Sequence, residues 1–129
     1  MAATATAQPA RRYPAYSPWG MLAAVDAHGC DRARLADPDN LRRFASALID
    51  AIGMRAHGPL RLERFGHGDL EGWSAMQFIE TSSITIHADE VSCRCFVDVF
   101  SCRRFEPEVA AAVVVAHFGG KAATRVLAR

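Results

Sequence analysis

The sequence has no apolar run approaching the roughly 20 residues that a bilayer crossing requires, and it carries no block of like charge. Its formal net charge is +1, with acids and bases interspersed along the chain. That balance gives no electrostatic basis for binding nucleic acid or an anionic membrane. The densest basic cluster, Arg103 and Arg104 with Arg94 nearby, is too small to alter this. Metal-site spacing is also absent: Cys93-Arg94-Cys95 is not a zinc-finger pair and no second pair answers it, so no metal is expected. Two disulfides could be drawn among Cys30, Cys93, Cys95 and Cys102, but half the residues are apolar. A core of that size needs no covalent staples, and reduced thiols in a cytoplasmic protein are the expectation. Residues 1–17 hold Ala, Thr and Pro without the apolar stretch of a secretory signal, and the reading is a mobile tail.

What remains, residues 18–129, suits one domain with one core. Met21 to Val25 reads as a strand leaving into a turn at His28-Gly29. Asp37-Pro38-Asp39 has the composition of a helix start, and Leu41, Phe44, Ala45, Leu48, Ile49 and Ile52 recur at helical spacing up to Gly53. Residues 58–73 are rich in glycine and polar side chains and read as a loop. Strands are expected over Ser74–Ile79, Ser83–His87 and Arg94–Ser101, the last two joined as a hairpin through Ala88–Cys93. A second helix runs from Glu106 to Phe118 and stops at Gly119-Gly120. The order β-α-β-β-β-α predicts an α+β fold, a two-layer sandwich with helices on one face of an antiparallel sheet.

Side chains capable of chemistry concentrate between Ser82 and Cys102: two adjacent serines, His87, an acidic pair and a cysteine. A hairpin turning at Glu90 and Val91 places Ser82 opposite Val99 and within about 12 Å of Cys102. In a regular strand Ser82 and His87 point to opposite faces, and Ser83 shares the face of His87. Residues of these types on a hairpin are more often ordinary strand residues than a site, and a lone cysteine is commonly a small buried hydrophobe.

The segment Ser82-Ser83-Ile84-Thr85-Ile86-His87, followed after a turn by Asp98-Val99-Phe100-Ser101-Cys102, resembles the signature of the prokaryotic S-adenosylmethionine decarboxylases. Upstream, Val25-Asp26-Ala27-His28-Gly29-Cys30-Asp31 is similar to that family's Val-Asp-Leu-Tyr-Gly-Cys-Asp, and Gly72-Trp73-Ser74 to its Gly-x-Ser. The likeness extends from about Trp19 to Phe118 and is ungapped from Gly72 to Cys102. It implies a self-cleaving enzyme in which Ser82 attacks the carbonyl before it, the chain parts at Thr81–Ser82, and the remnant of Ser82 becomes a covalent pyruvoyl group. His87 is then the base that removes the Cα proton, a task suited to an imidazole. Ser74 stabilises the processing intermediate. The pyruvoyl ketone forms a Schiff base with the substrate, and Cys102 returns a proton after carbon dioxide leaves. Active sites at a dimer interface, hence a homodimer or higher homo-oligomer, are implied as well, with S-adenosylmethionine decarboxylated for spermidine synthesis.

This chain departs from the family pattern at several positions. Thr81 stands where a Glu usually precedes the serine, with Glu80 one place earlier, and Ser83 replaces a His. The family's Thr-Trp-Pro-Glu becomes Ala88-Asp89-Glu90-Val91, removing an aromatic that holds adenine. Glu90 is the candidate for the ribose contact and Phe65 for the remaining stacking ring. An acidic Asp89-Glu90 pair would instead attract the cationic end of ornithine or arginine, which is the alternative substrate class. An uncleaved homologue that binds a ligand or a partner is the non-enzymatic alternative.

Overall fold

Burial alternates strictly along the segments that build the centre of the molecule, as a sheet packed on one face requires. The computed structural model describes residues 18–129, and the tail expected over residues 1–17 lies outside them. Six strands form one antiparallel sheet: β1 (Met21–His28), β2 (Arg61–Phe65), β3 (Gly72–Ile79), β4 (Ser82–Asp89), β5 (Arg94–Ser101) and β6 (Lys121–Ala128). Their order across the sheet is β2-β3-β4-β5-β1-β6. Three helices, α1 (Arg32–Leu35), α2 (Pro38–Ala51) and α3 (Pro107–Phe118), make the second layer. The expected two-layer α+β sandwich is what forms.

The long helix starts where its caps dictate. Asp37 accepts a hydrogen bond from the Asp39 N–H at 3.0 Å, and Pro38 occupies the first turn, where its missing N–H costs nothing. Leu41, Phe44 and Leu48 of α2, with Ala110, Val114 and Phe118 of α3, pack on Val25, Ile84, Ile86, Val97 and Val99 of the sheet, all fully buried. Phe44 and Phe118 meet edge to face at 4.9 Å between ring centres. None of the helices among the described residues is long and apolar enough to cross a membrane.

Three expectations need correction. Residues 58–73 are not all loop: Arg61–Phe65 pairs with β3 as an edge strand. Beyond the second helix the chain returns as β6 beside β1. Both are edge strands with few buried side chains, so neither carries the apolar alternation by which a strand is read. The hairpin register also differs. The β4–β5 turn is the four residues Glu90–Cys93, with Cys93 in the left-handed region at φ 54°. This centres the hairpin one residue later, so Ile84 rather than Ser82 lies opposite Val99.

The strand β4 is regular throughout. Ser82, Ile84, Ile86 and Ala88 face the helices and are buried, while Ser83, Thr85, His87 and Asp89 face the other way. That second face has no covering layer among the described residues, and Met76 and Phe78 on it are 58% and 68% exposed.

Candidate active site

Joining β3 to β4 takes only Glu80 and Thr81, because Ile79 and Ser82 are already paired. Thr81 has φ 54°. A β-branched residue pays for left-handed backbone with a steric clash of about 1–3 kcal/mol, and here it immediately precedes Ser82. The turn is held from outside by Arg55–His57: the His57 N–H donates to the Phe78 carbonyl at 2.9 Å and the Glu80 N–H to the Arg55 carbonyl at 3.1 Å.

From the other side comes the end of β5. The Cys102 N–H donates to Ser82 Oγ at 3.0 Å. Buried Ser101 fastens this contact, since its hydroxyl accepts from the Arg103 N–H and donates to the Arg103 carbonyl. The Thr81 hydroxyl donates to the Glu80 carbonyl at 2.8 Å and lies 2.9 Å from Cys102 Sγ. With its own hydrogen so used, Thr81 Oγ1 is left to accept the thiol's. Cys102 therefore touches both residues of the Thr81–Ser82 bond, well inside the expected limit of about 12 Å. A cleft of about 770 Å³ opens onto this bond, lined by His57, Phe78, Glu80, Thr81, Ser82 and Arg103 among others.

The other expected residues lie elsewhere. Ser74 and His87 are directly opposite on β3 and β4, with Ser74 Oγ 3.0 Å from His87 Nδ1. Five residues of regular strand, roughly 16 Å, separate His87 from Ser82, and the two side chains occupy opposite faces. The intact chain thus assembles two pairs, Ser82 with Cys102 and Ser74 with His87, and keeps them apart. Phe65 is exposed on β2 opposite Gly72, near the His87 pair and remote from the cleft.

Glu90 is buried, and its carboxylate is taken by both terminal nitrogens of Arg64. The same guanidinium donates to Glu71 at 3.0 Å and lies over the Trp73 ring. Its pKa is raised above the ordinary value, chiefly by the hydrogen bond to Glu90. Asp89 is likewise engaged, accepting from Arg94 Nε at 2.8 Å. Both members of the acidic pair are thus bonded within the chain, Asp89 to Arg94 and Glu90 to Arg64. All four cysteines are free thiols, and burial pushes the pKa of Cys30 and Cys95 upward.

Several lining residues were not legible beforehand. Nothing in the sequence singles out His57, and Arg103 stands out only in a small basic cluster. No motif ties either to Ser82, because it is β3 pairing and the turn after β5 that bring them there. Phe78 is visible in the sequence only as a strand residue, and Phe100 only as one position of the segment ending at Cys102.

Residues 22–129 match the family model described as S-adenosylmethionine decarboxylase. A search of curated proteins returns no match. Among solved structures, the adenosylmethionine decarboxylase from Aquifex aeolicus VF5 superposes with a TM-score of 0.73 at 15% identity, covering 87% of this chain and 91% of that one. At this identity the likeness is one of fold.

The Arg64–Glu90 pair yields a stability prediction. Arg64→Met strands a buried carboxylate, whereas Arg64→Met with Glu90→Leu removes both charges. The single variant is expected to have the lower Tm in thermal unfolding followed by circular dichroism. An equal or lower Tm for the double variant contradicts a structural role for this pair.

Proposed function

We propose that this chain, which belongs to the S-adenosylmethionine decarboxylase family by its match over residues 22–129, cuts itself at Thr81–Ser82 and decarboxylates S-adenosylmethionine. The product would be the aminopropyl donor for spermidine synthesis. The observation that carries the proposal is the placement of Ser82 directly after a left-handed Thr81, bonded to the Cys102 N–H, on the wall of a cleft.

Processing begins with Ser82 Oγ adding to the Thr81 carbonyl carbon. The Ser82 nitrogen leaves as an amine, and an ester replaces the amide. Release of the Thr81 backbone from its strained conformation favours this direction. Loss of the Ser82 Cα proton then expels the Thr81 carboxylate and parts the chain. The dehydrated residue takes up water and loses ammonia, leaving a pyruvoyl group. His87, held by Ser74, is the proposed base. For it to reach the Cα proton, the first residues of β4 must leave the sheet once the ester has formed. Cys102 touches the bond and His57 lines the cleft that opens onto it, which favours a second reading in which one of them takes this proton.

The surroundings of Ser82 fit a pyruvoyl group, with the Cys102 N–H and thiol on one side and open cleft on the other. Such a group supplies a ketone that engages the substrate amine and draws in electrons as carbon dioxide departs. The Cys102 thiol is placed to hand a proton to the substrate carbon afterwards. Arg103 lines the cleft as its fixed positive charge and suits the substrate's carboxylate.

We also propose a homodimer in which a second copy of this chain covers the open face of the sheet. Trp19, Met76, Phe78 and Leu127 are each at least half exposed, more apolar surface than one face of a monomer usually leaves in water.

Three outcomes are expected. Intact-mass analysis of purified protein should show an 81-residue and a 48-residue piece of the 129-residue chain, and Ser82→Ala one whole chain. Thr81→Gly should slow cleavage roughly tenfold, as about 1.4 kcal/mol of strain is lost as a driving force. His87→Ala should stop at the ester, which hydroxylamine cuts; normal processing of this variant would move the base to the cleft. A wild-type chain that stays whole ends the enzymatic proposal.

Carbon dioxide release from S-adenosylmethionine, ornithine and arginine at equal concentration tests the substrate. The first should be fastest, because Asp89 and Glu90 are already paired. Faster release from either amino acid refutes the substrate while sparing the mechanism.

Met76→Arg should turn the dimer into a monomer in sedimentation velocity. A wild-type protein that sediments as a monomer refutes the dimer.

A further inference from the structure

We propose that Cys30 and Cys93 are a redox-active pair whose disulfide staples together the two pieces that self-cleavage leaves, a role that rests on the cut at Thr81–Ser82 proposed above. The cut places the two cysteines on different pieces: residues 1–81 carry Cys30, and residues 82–129 carry Cys93. Those pieces interleave in the sheet. The first piece's β1 lies between β5 and β6 of the second, and its β3 lies beside β4. Once the chain has parted, hydrogen bonds and apolar packing alone hold this arrangement.

The pair sits where β1 and β5 separate, at the end of the sheet opposite the cleft. His28 and Arg94 are the last residues paired there, and Gly29, at φ 68°, then turns the chain toward α1. The Cys30 N–H donates to the Cys93 carbonyl at 2.9 Å. Standard bond lengths keep the two α-carbons within about 6.8 Å through that bond, and disulfides span about 4.4–6.8 Å between α-carbons. Both residues are free thiols. Burial pushes the Cys30 pKa up, and the neighbouring Cys93 thiolate adds to the rise.

Exposure orders the chemistry. Cys93 is partly exposed, and its thiol makes only a long bond of 3.8 Å to the Glu90 carbonyl. Cys30 is 5% exposed, so a small disulfide such as oxidised glutathione meets Cys93 first. The Cys93 thiolate attacks one sulfur of the reagent, whose S–S bond breaks, and one small thiol leaves with the proton that Cys93 gave up. The Cys30 thiolate then attacks Cys93 Sγ and expels the second small thiol, which takes the Cys30 proton. The protein has lost two hydrogens and the reagent has gained them. The other thiols are worse partners. Cys95 is fully buried in β5 opposite Ala27, burial pushes its pKa up, and it belongs to the same piece as Cys93. Cys102 lies at the far end of β5, beside Thr81.

The test treats self-cleaved wild type with oxidised glutathione and follows it by intact mass under denaturing, non-reducing conditions. One species containing both pieces should replace the separate 81- and 48-residue pieces, and dithiothreitol should return them. Peptide mapping should join Cys30 to Cys93. Cys93→Ser should cleave itself as wild type does and still give separate pieces after the same treatment. The stapled form should melt roughly 10 °C above the reduced one, and Cys93→Ser should melt alike with and without oxidant. Separate pieces from oxidised wild type, or a cross-link mapped to Cys95 or Cys102, overturn the pair and leave the self-cleavage reading standing. A wild-type chain that stays whole has no pieces to join, and the stapling role then falls with the self-cleavage reading.

Discussion

A single hydrogen bond, from the Cys102 N–H to Ser82 Oγ, ties the end of β5 to the start of β4, and the chemistry proposed for this chain depends on it. It gives the buried Ser82 hydroxyl a backbone partner at the wall of the cleft. Ser101 makes the contact possible by folding back on Arg103, and the Arg55–His57 segment closes the turn from the opposite side. The backbone strain at Thr81 survives because these bonds over-determine the turn. A looser loop would relax Thr81 and lose the bond to Ser82 together.

The same strand that presents Ser82 separates it from His87. A regular strand alternates its side chains, and five residues is an odd step, so one side chain enters the helix layer and the other stands on the open face. The helix layer is filled by Phe44, Leu48, Val114 and Phe118 and holds β4 in register. The movement of β4 that the proposal requires would fall at the end nearest the turn, where the cleft lies. The chain offers a site in two halves, each complete in its local hydrogen bonds.

Charge is settled close to home. Arg64 gathers Glu71 and Glu90, and Arg94 gathers Asp89. A buried carboxylate left alone is costly, and the guanidinium that satisfies it also ties β2 to the β4–β5 turn.

Much of this was legible in the residues. The spacing of Leu41, Phe44, Leu48 and Ile49, with Asp37 and Pro38 before them, specified α2, and the alternation through Ile84, Ile86, Val97 and Val99 specified the central hairpin. The order of serine, histidine and cysteine carried the family likeness. Tertiary structure decided the rest. The edge strands β2 and β6 bury too little on either face to show a period, and only pairing with a neighbour makes them strands. The partners of Glu90 and Ser82 depend on register, and with the turn at Glu90–Cys93 it is Ile84, two residues beyond Ser82, that faces Val99. Sequence spacing assigns a side chain to a face through the geometry of its own strand. Which group it meets there is set by neighbouring strands, through bonds between residues far apart in the chain.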